Sequence, residues 1–113
     1  MEPTWIAEES VVFVYPDGRR ITGRIAVGLP ARVSDVEAHC LIALDGIDHK
    51  AVPVMGGSPL QALVLGLQII GSRLYDFRAH GGRVLYPTGE SDMLDGLFGS
   101  LLRPTINNRS DEQ

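Results

Sequence analysis

The spacing of apolar residues along this chain changes from every second position to every third and fourth, and the change divides the chain into strands and a helix. In residues 20–27, Ile21, Gly23, Ile25 and Val27 fall on one side and Arg20, Thr22, Arg24 and Ala26 on the other, the period of a strand with one buried and one wetter face. Residues 8–15 are rich in Val, Phe and Tyr, which suit a pleated surface. Pro16-Asp17-Gly18 supplies turn chemistry between the two, so a β-hairpin is predicted. Residues 29–36, with Pro30, Ser34 and Asp35, read as a loop. A third strand follows over 37–44, with Ala38, Cys40, Ile42 and Leu44 on one face. Asp45-Gly46 is a second turn signal. Residues 50–55 then make a fourth strand, which Pro53 assigns to an edge or a strand end.

From Ser58 the period lengthens. Gly56-Gly57 frees the backbone to turn, Ser58 is a good N-cap, Pro59 suits the first helical position and Gln61 completes a capping box. The helix is predicted over residues 58–79. Leu60, Leu63, Leu67, Ile70, Leu74 and Phe77 align at alternating spacings of three and four, a stripe expected to lie on the sheet. The helix is apolar beyond that stripe: Ala62, Leu65, Gly66 and Ile69 form a second patch, whose two small residues let another backbone approach. Gly81-Gly82 stops the helix, and residues 83–86 read as a last short strand. Met93, Leu94, Leu97, Phe98, Leu101 and Leu102 return to helical spacing, although Gly96 and Gly99 each cost about 1 kcal/mol of helicity. This segment, from the same chain or a neighbouring one, is expected to cover the second patch. The predicted fold is α+β: an antiparallel β-meander of four to five strands packed on one long helix, in the order ββββαβ, with a short C-terminal helix. Residues 1–104 are expected to form one domain and 105–113 a disordered polar tail.

Length and charge narrow the function. A chain of 113 residues can build one core without a disulfide scaffold, and the single Cys40 has no internal partner. Glu2, Glu8 and Glu9 near the N-terminus, with no basic region before an apolar run, do not fit a secretory signal, so a cytoplasmic location is expected. Gln61, Gly66, Gln68 and Gly71 interrupt the longest apolar stretch, which falls short of the roughly 20 residues needed to span a bilayer; no membrane role is expected. A net charge of −4, from 14 acidic and 10 basic side chains, disfavours nucleic acid as a partner. The local exception, Arg19, Arg20 and Arg24, reads as a solvated strand edge. Acidity suits a basic protein partner.

No arrangement of reactive side chains has the spacing of a known catalytic device. His39 and Cys40 are neighbours on a strand and point to opposite faces, so a thiol–imidazole pair is not expected and Cys40 reads as a small core residue. His39, His49 and His80 lack metal-ligand spacing. Asp45, Asp48 and His49 around Gly46 lack the alternating oxygen ligands of a calcium loop. Gly56-Gly57-Ser58 could offer N–H groups to an anion at the helix N-terminus, but no Lys follows and capping is the simpler use of Ser58. Glu90, Asp92 and Asp95 read as a solvated acidic face. Arg73 and Asp76 read as an exposed i, i+3 pair. No catalytic, metal or cofactor-binding residue is therefore predicted.

Trp5-Ile6-Ala7-Glu8 at the start, then Gln61-Ala62-Leu63 with Leu65, Leu67, Ile70-Gly71 and Leu74 in the helix, resemble a family of small uncharacterised bacterial domains over roughly residues 4–86. Those domains open with Trp-Ile-Ala-Glu, continue as a β-meander and carry a helix of the form Gln-Ala-Leu-x-Leu-Ala-Leu-x-x-Ile-Gly. Gly66 stands here where Ala is usual. The resemblance implies a bacterial, cytoplasmic, non-enzymatic domain, and small acidic α+β proteins of this build look similar to immunity proteins. The function expected is a non-catalytic, protein-binding domain of immunity type, neutralising a toxin encoded nearby. The alternatives are a small-molecule or anion-binding regulatory domain and a self-associating structural protein that forms a homodimer. Met93, Leu94, Leu97 and Phe98, with Asp92 and Asp95, are the expected partner-binding residues.

Overall fold

The computed structural model describes residues 3–88 and 91–102, the side chains of 100–102 excepted. The expected tail, 105–113, and Glu90 lie outside the described residues. Strands β1 (Trp5–Val14) and β2 (Arg20–Gly28) form the predicted hairpin, pairing antiparallel from Val14 opposite Arg20 to Trp5 opposite Gly28. β1 begins three residues earlier than the apolar pattern indicates. Its first half is mostly exposed, so the backbone ladder with β2, which leaves no mark in the hydrophobic pattern, holds it extended.

A second departure lies at residues 29–36, which are not wholly loop. Ala31–Arg32 (β3) pairs with the start of β4 (Ala38–Asp45), which also pairs with β2. Val27 stands opposite Ile42, and pairing resumes at Ala31 opposite His39, one residue out of register. β3 is thus the continuation of β2 beyond a bulge at Leu29-Pro30, where the proline has no N–H for the ladder. β5 (Val52–Gly56) takes the other edge of β4, and β6 (Arg83–Leu85) pairs with the outer edge of β1. The six-stranded antiparallel sheet therefore runs β5-β4-β2-β1-β6, with β3 extending β2. The far side of β6 is covered by the chain itself, since Met93 N–H donates to Val84 C=O at 3.0 Å and Tyr86 N–H to Ser91 C=O at 2.9 Å. Two outer edges among the described strands have no strand paired to them, that of β5 and that of the two-residue β3.

Helix α1 (Pro59–Ala79) leaves one edge of the sheet at β5 and reaches the other at β6, crossing the sheet face between them. Ser58 caps it by accepting from Gln61 N–H at 3.1 Å, and Gln61 Oε1 accepts from Gly57 N–H at 2.5 Å. The face turned to the sheet differs from the predicted stripe. Ala62, Gly66, Ile70 and Leu74 are buried, whereas Leu60 is exposed and Leu63, Leu67 and Phe77 are only partly covered. Close approach selects this row: a Cβ on Gly66 would lie 3.2 Å from Ile42 Cγ2 and 3.6 Å from Cys40 Sγ, so the small residues sit where helix and sheet come nearest. The same fact corrects the expected second patch, because Ala62 and Gly66 meet the sheet and are not a platform for another segment.

Helix α2 (Leu94–Leu102) docks on the flank of α1. Met93, Leu94 and Phe98 join the core, each contributing about 2 kcal/mol by burial; that offsets the cost of Gly96 and Gly99 in a short helix. Arg78 fixes the start of α2, reaching Asp95 at 3.3 Å and Asp92 at 3.5 Å while stacking 4.9 Å over the Tyr75 ring. At the other end of α1, Phe77 packs edge-on against Phe13 and Tyr15, with centroids 5.7 and 5.2 Å away.

On the sheet face away from α1, Arg24 gathers the first residues of the chain. Its guanidinium donates to Asp45 at 2.8 Å and Glu8 at 2.9 Å and lies 4.8 Å over the Trp5 ring. Trp5 and Glu8 of the Trp-Ile-Ala-Glu opening thus both clasp one arginine, a structural use of that motif. Those two carboxylates hold the guanidinium pKa above its ordinary value, Glu8 most strongly.

Candidate functional site

Between Lys50 and Arg73 the chain carries no charged residue. That stretch supplies β5 and the first turns of α1, which lie side by side at the β5 edge of the sheet. Its inward residues, Val54, Ala62, Gly66 and Ile70, are buried as the core requires. Its outward residues are not. Leu60 is 69% exposed, Met55 61%, Val52 45%, Val64 41% and Ile69 40%, and the exposed polar residues of the stretch on α1 are Gln61, Gln68 and Ser72. A groove of about 350 Å³ runs along this edge, with Val52, Val54 and Met55 on one wall, Leu65 and Ile69 on the other and Ile42 below. Solvent-facing helix positions ordinarily carry charge, and depletion of charge is what marks the centre of a protein interface.

At the α1 end of this face the charges are engaged with each other. Arg73 closes the end of the groove and donates twice to Asp48, at 2.9 and 2.5 Å, which raises its guanidinium pKa. The predicted Arg73–Asp76 pair is replaced by this link to the turn after β4, and Asp76 instead stands 3.5 Å from His80. Pro53 lies in the middle of β5; without an N–H it weakens the open edge as a template for another strand.

The residues expected to bind a partner are divided by the fold. Met93, Leu94 and Phe98 are buried within the chain, while Asp92 and Asp95 stay at the surface beside Tyr75 and Arg78, and Leu97 is exposed at the rim of a recess against β1 and β2. Asp92 also turns inward to cap α2, accepting from Leu94 N–H at 2.8 Å. Of this face, Leu65 and Ile69 belong to the second apolar patch expected from the sequence, whereas Val52, Met55, Leu60 and Val64 were not singled out as outward residues, although the absence of charge from Lys50 to Arg73 was there to be read.

The remaining polar chemistry is dispersed. His39 bonds Glu37 at 2.9 Å and His80 Nδ1 lies 2.8 Å from Asp76 C=O, whereas His49 is exposed in the turn before β5. No group of three His, Cys, Asp or Glu fit to hold a metal occurs among the described residues. Cys40 is fully buried, its thiol donating to Gly28 C=O at 3.4 Å, and burial pushes its pKa up. A cleft formed by Tyr15, Ile47, Arg73, Asp76, Phe77 and His80 has charged groups at its rim, but they are bound to Asp48 or to one another. At the helix N-terminus the Gly57 and Gln61 N–H groups are spent on the cap, which removes two of the donors an anion would use. A second apolar recess, about 260 Å³, lies between β1, β2 and α2 and is lined by Ile25, Val27, Leu67, Ile70, Leu97 and Phe98.

No protein-family model matches the chain, and no match was found among curated proteins or among solved structures. Among the described residues no helix is long and apolar enough to cross a membrane.

Proposed function

We propose that this chain is a protein-binding domain that works through the uncharged face of β5 and α1. The observation that carries the reading is the joint exposure of Leu60, Val64 and Ile69 on α1 with Val52 and Met55 on β5, in a stretch where the chain places no charge. Large apolar side chains left together at a surface mark interaction sites in soluble domains. A binding module of this kind needs no reactive group, and Cys40 and the three histidines are accounted for by core packing, local hydrogen bonds or simple exposure.

The narrower form of the proposal is an immunity-type inhibitor of a toxin. It draws on size and on the resemblance to small bacterial domains. A cytoplasmic setting rests on the same resemblance.

The test is capture of a partner from the source cell by the full chain, followed by calorimetry with the purified pair. Val64→Glu, which puts a charge into the centre of the face, is expected to weaken binding at least tenfold. Arg20→Glu, on β2, leaves it unchanged. A complex of equal affinity with Val64→Glu moves the docking surface elsewhere and sinks the proposal.

A further inference from the structure

The outward row of α1 reads alike in both directions. Gln61, Val64, Leu65 and Gln68 run glutamine, apolar, apolar, glutamine, and exposed Leu60 and Ile69 close the run at its two ends. A helix that packs antiparallel on a copy of itself about a two-fold axis sets residue i against residue j and residue j against residue i. A row symmetric about its midpoint is what such a contact needs.

We propose that this row joins two copies of the chain, with α1 antiparallel to α1 of the second copy and the two-fold axis passing between Val64 and Leu65. The proposal rests on the reading of this face as a protein-binding surface and names its partner. In this register Gln61 of one copy stands opposite Gln68 of the other, so that Gln61 Nε2, whose Oε1 is held by the cap, can donate to the Gln68 amide oxygen. Val64 of each copy packs on Leu65 of the other, on either side of the axis. The modest size of Val64 suits the 8–10 Å at which two helices cross.

Charge favours a second copy over an unrelated protein. Each chain carries −4, and a face free of charge lets two such chains meet with their carboxylates outside the contact. An oppositely charged partner finds nothing there to pair with, since Arg73 and Asp48 at the border already hold each other. The open edge of β5 argues for side-chain packing in place of a continued sheet, because Pro53 interrupts its row of donors.

Light scattering on the purified full chain at micromolar concentration is expected to give twice the monomer mass of 12.3 kDa. Val64→Glu is expected to give the monomer mass with an unchanged circular dichroism spectrum, because the position is exposed in the single chain. Register is read by mixing two single variants, Gln61→Cys and Gln68→Cys, under mild oxidation: the mixed disulfide should exceed either homodisulfide, with Cys40 buried and silent. A monomeric wild type, a dimer that survives Val64→Glu, or a predominant Gln61→Cys homodisulfide overturns the proposal. A monomer that still binds another protein in a Val64-dependent way leaves the reading of the face standing, whereas a monomer with no such partner removes both.

Discussion

Gly56, the last residue of β5, lies against the backbone of Ala62 in α1: a Cβ on Gly56 would stand 2.6 Å from the Ala62 nitrogen. The neighbour is backbone and cannot swing away as a side-chain tip can. This contact sets how closely the first turns of α1 approach the edge strand, and with it the shape of the groove between them. Gly56→Ala is expected to destabilise the fold by about 2 kcal/mol through overpacking, read as a lower urea midpoint. A change under about 0.5 kcal/mol would show that the helix start shifts freely and that the groove has no fixed shape.

The two neighbouring side chains Leu97 and Phe98 separate the buried and exposed faces of α2. Phe98 is 5% exposed and Leu97 43%. Phe98→Ala is expected to cost about 3 kcal/mol and to speed proteolysis at residues 91–102. Leu97→Ala should do much less on both counts. Equal effects would mean that α2 is not seated as the structure has it.

Cys40 supplies a pH dependence whose sign can be worked out. Burial raises its thiol pKa in the folded chain, so above the ordinary thiol range the folded state holds a proton that the unfolded chain has released. Stability is therefore complete below that range and declines as pH rises through it. Urea midpoints at successive pH values should fall more steeply on the alkaline side for the wild type than for Cys40→Ala. The thiol should also resist a disulfide reagent until the chain unfolds, and rapid labelling under native conditions would contradict its burial.

Val64 and Ile70 lie six positions apart on α1 with opposite surroundings, one exposed and the other 1% exposed. Val64→Glu should change unfolding free energy by no more than about 0.5 kcal/mol, whereas Ile70→Glu buries an unpaired charge and is expected to abolish folding. Thermal melts of both variants make the comparison. A Val64→Glu variant that melts far below the wild type would assign this residue to the core.

Much of the fold was legible because its signals are local. Period-two alternation marked β2 and β4, the Ser58–Gln61 cap marked the start of α1, and paired glycines marked its end. β3 escaped because two exposed residues paired through backbone alone carry no pattern. The rotation of α1 on the sheet was misread because a stripe of leucines is the obvious buried face by hydrophobicity. Packing distance instead favoured Gly66, which admits Ile42 and Cys40, and Ala62, which lies against Gly56 of β5.

The sequence by itself determined the kind and order of the elements, the capping of α1, the burial of Cys40 and the charge-free run from Lys50 to Arg73. Tertiary structure alone decided that this run leaves Val52, Met55, Leu60, Val64 and Ile69 outside, that Gln61, Val64 and Gln68 of the self-symmetric row are exposed while Leu65 is half-buried, and that Met93, Leu94 and Phe98 are spent on the chain's own core. The reason is physical. Local propensity and periodicity depend on residues a few positions apart, whereas the choice of buried face depends on how near two elements can come, and that is set by residues distant in the chain.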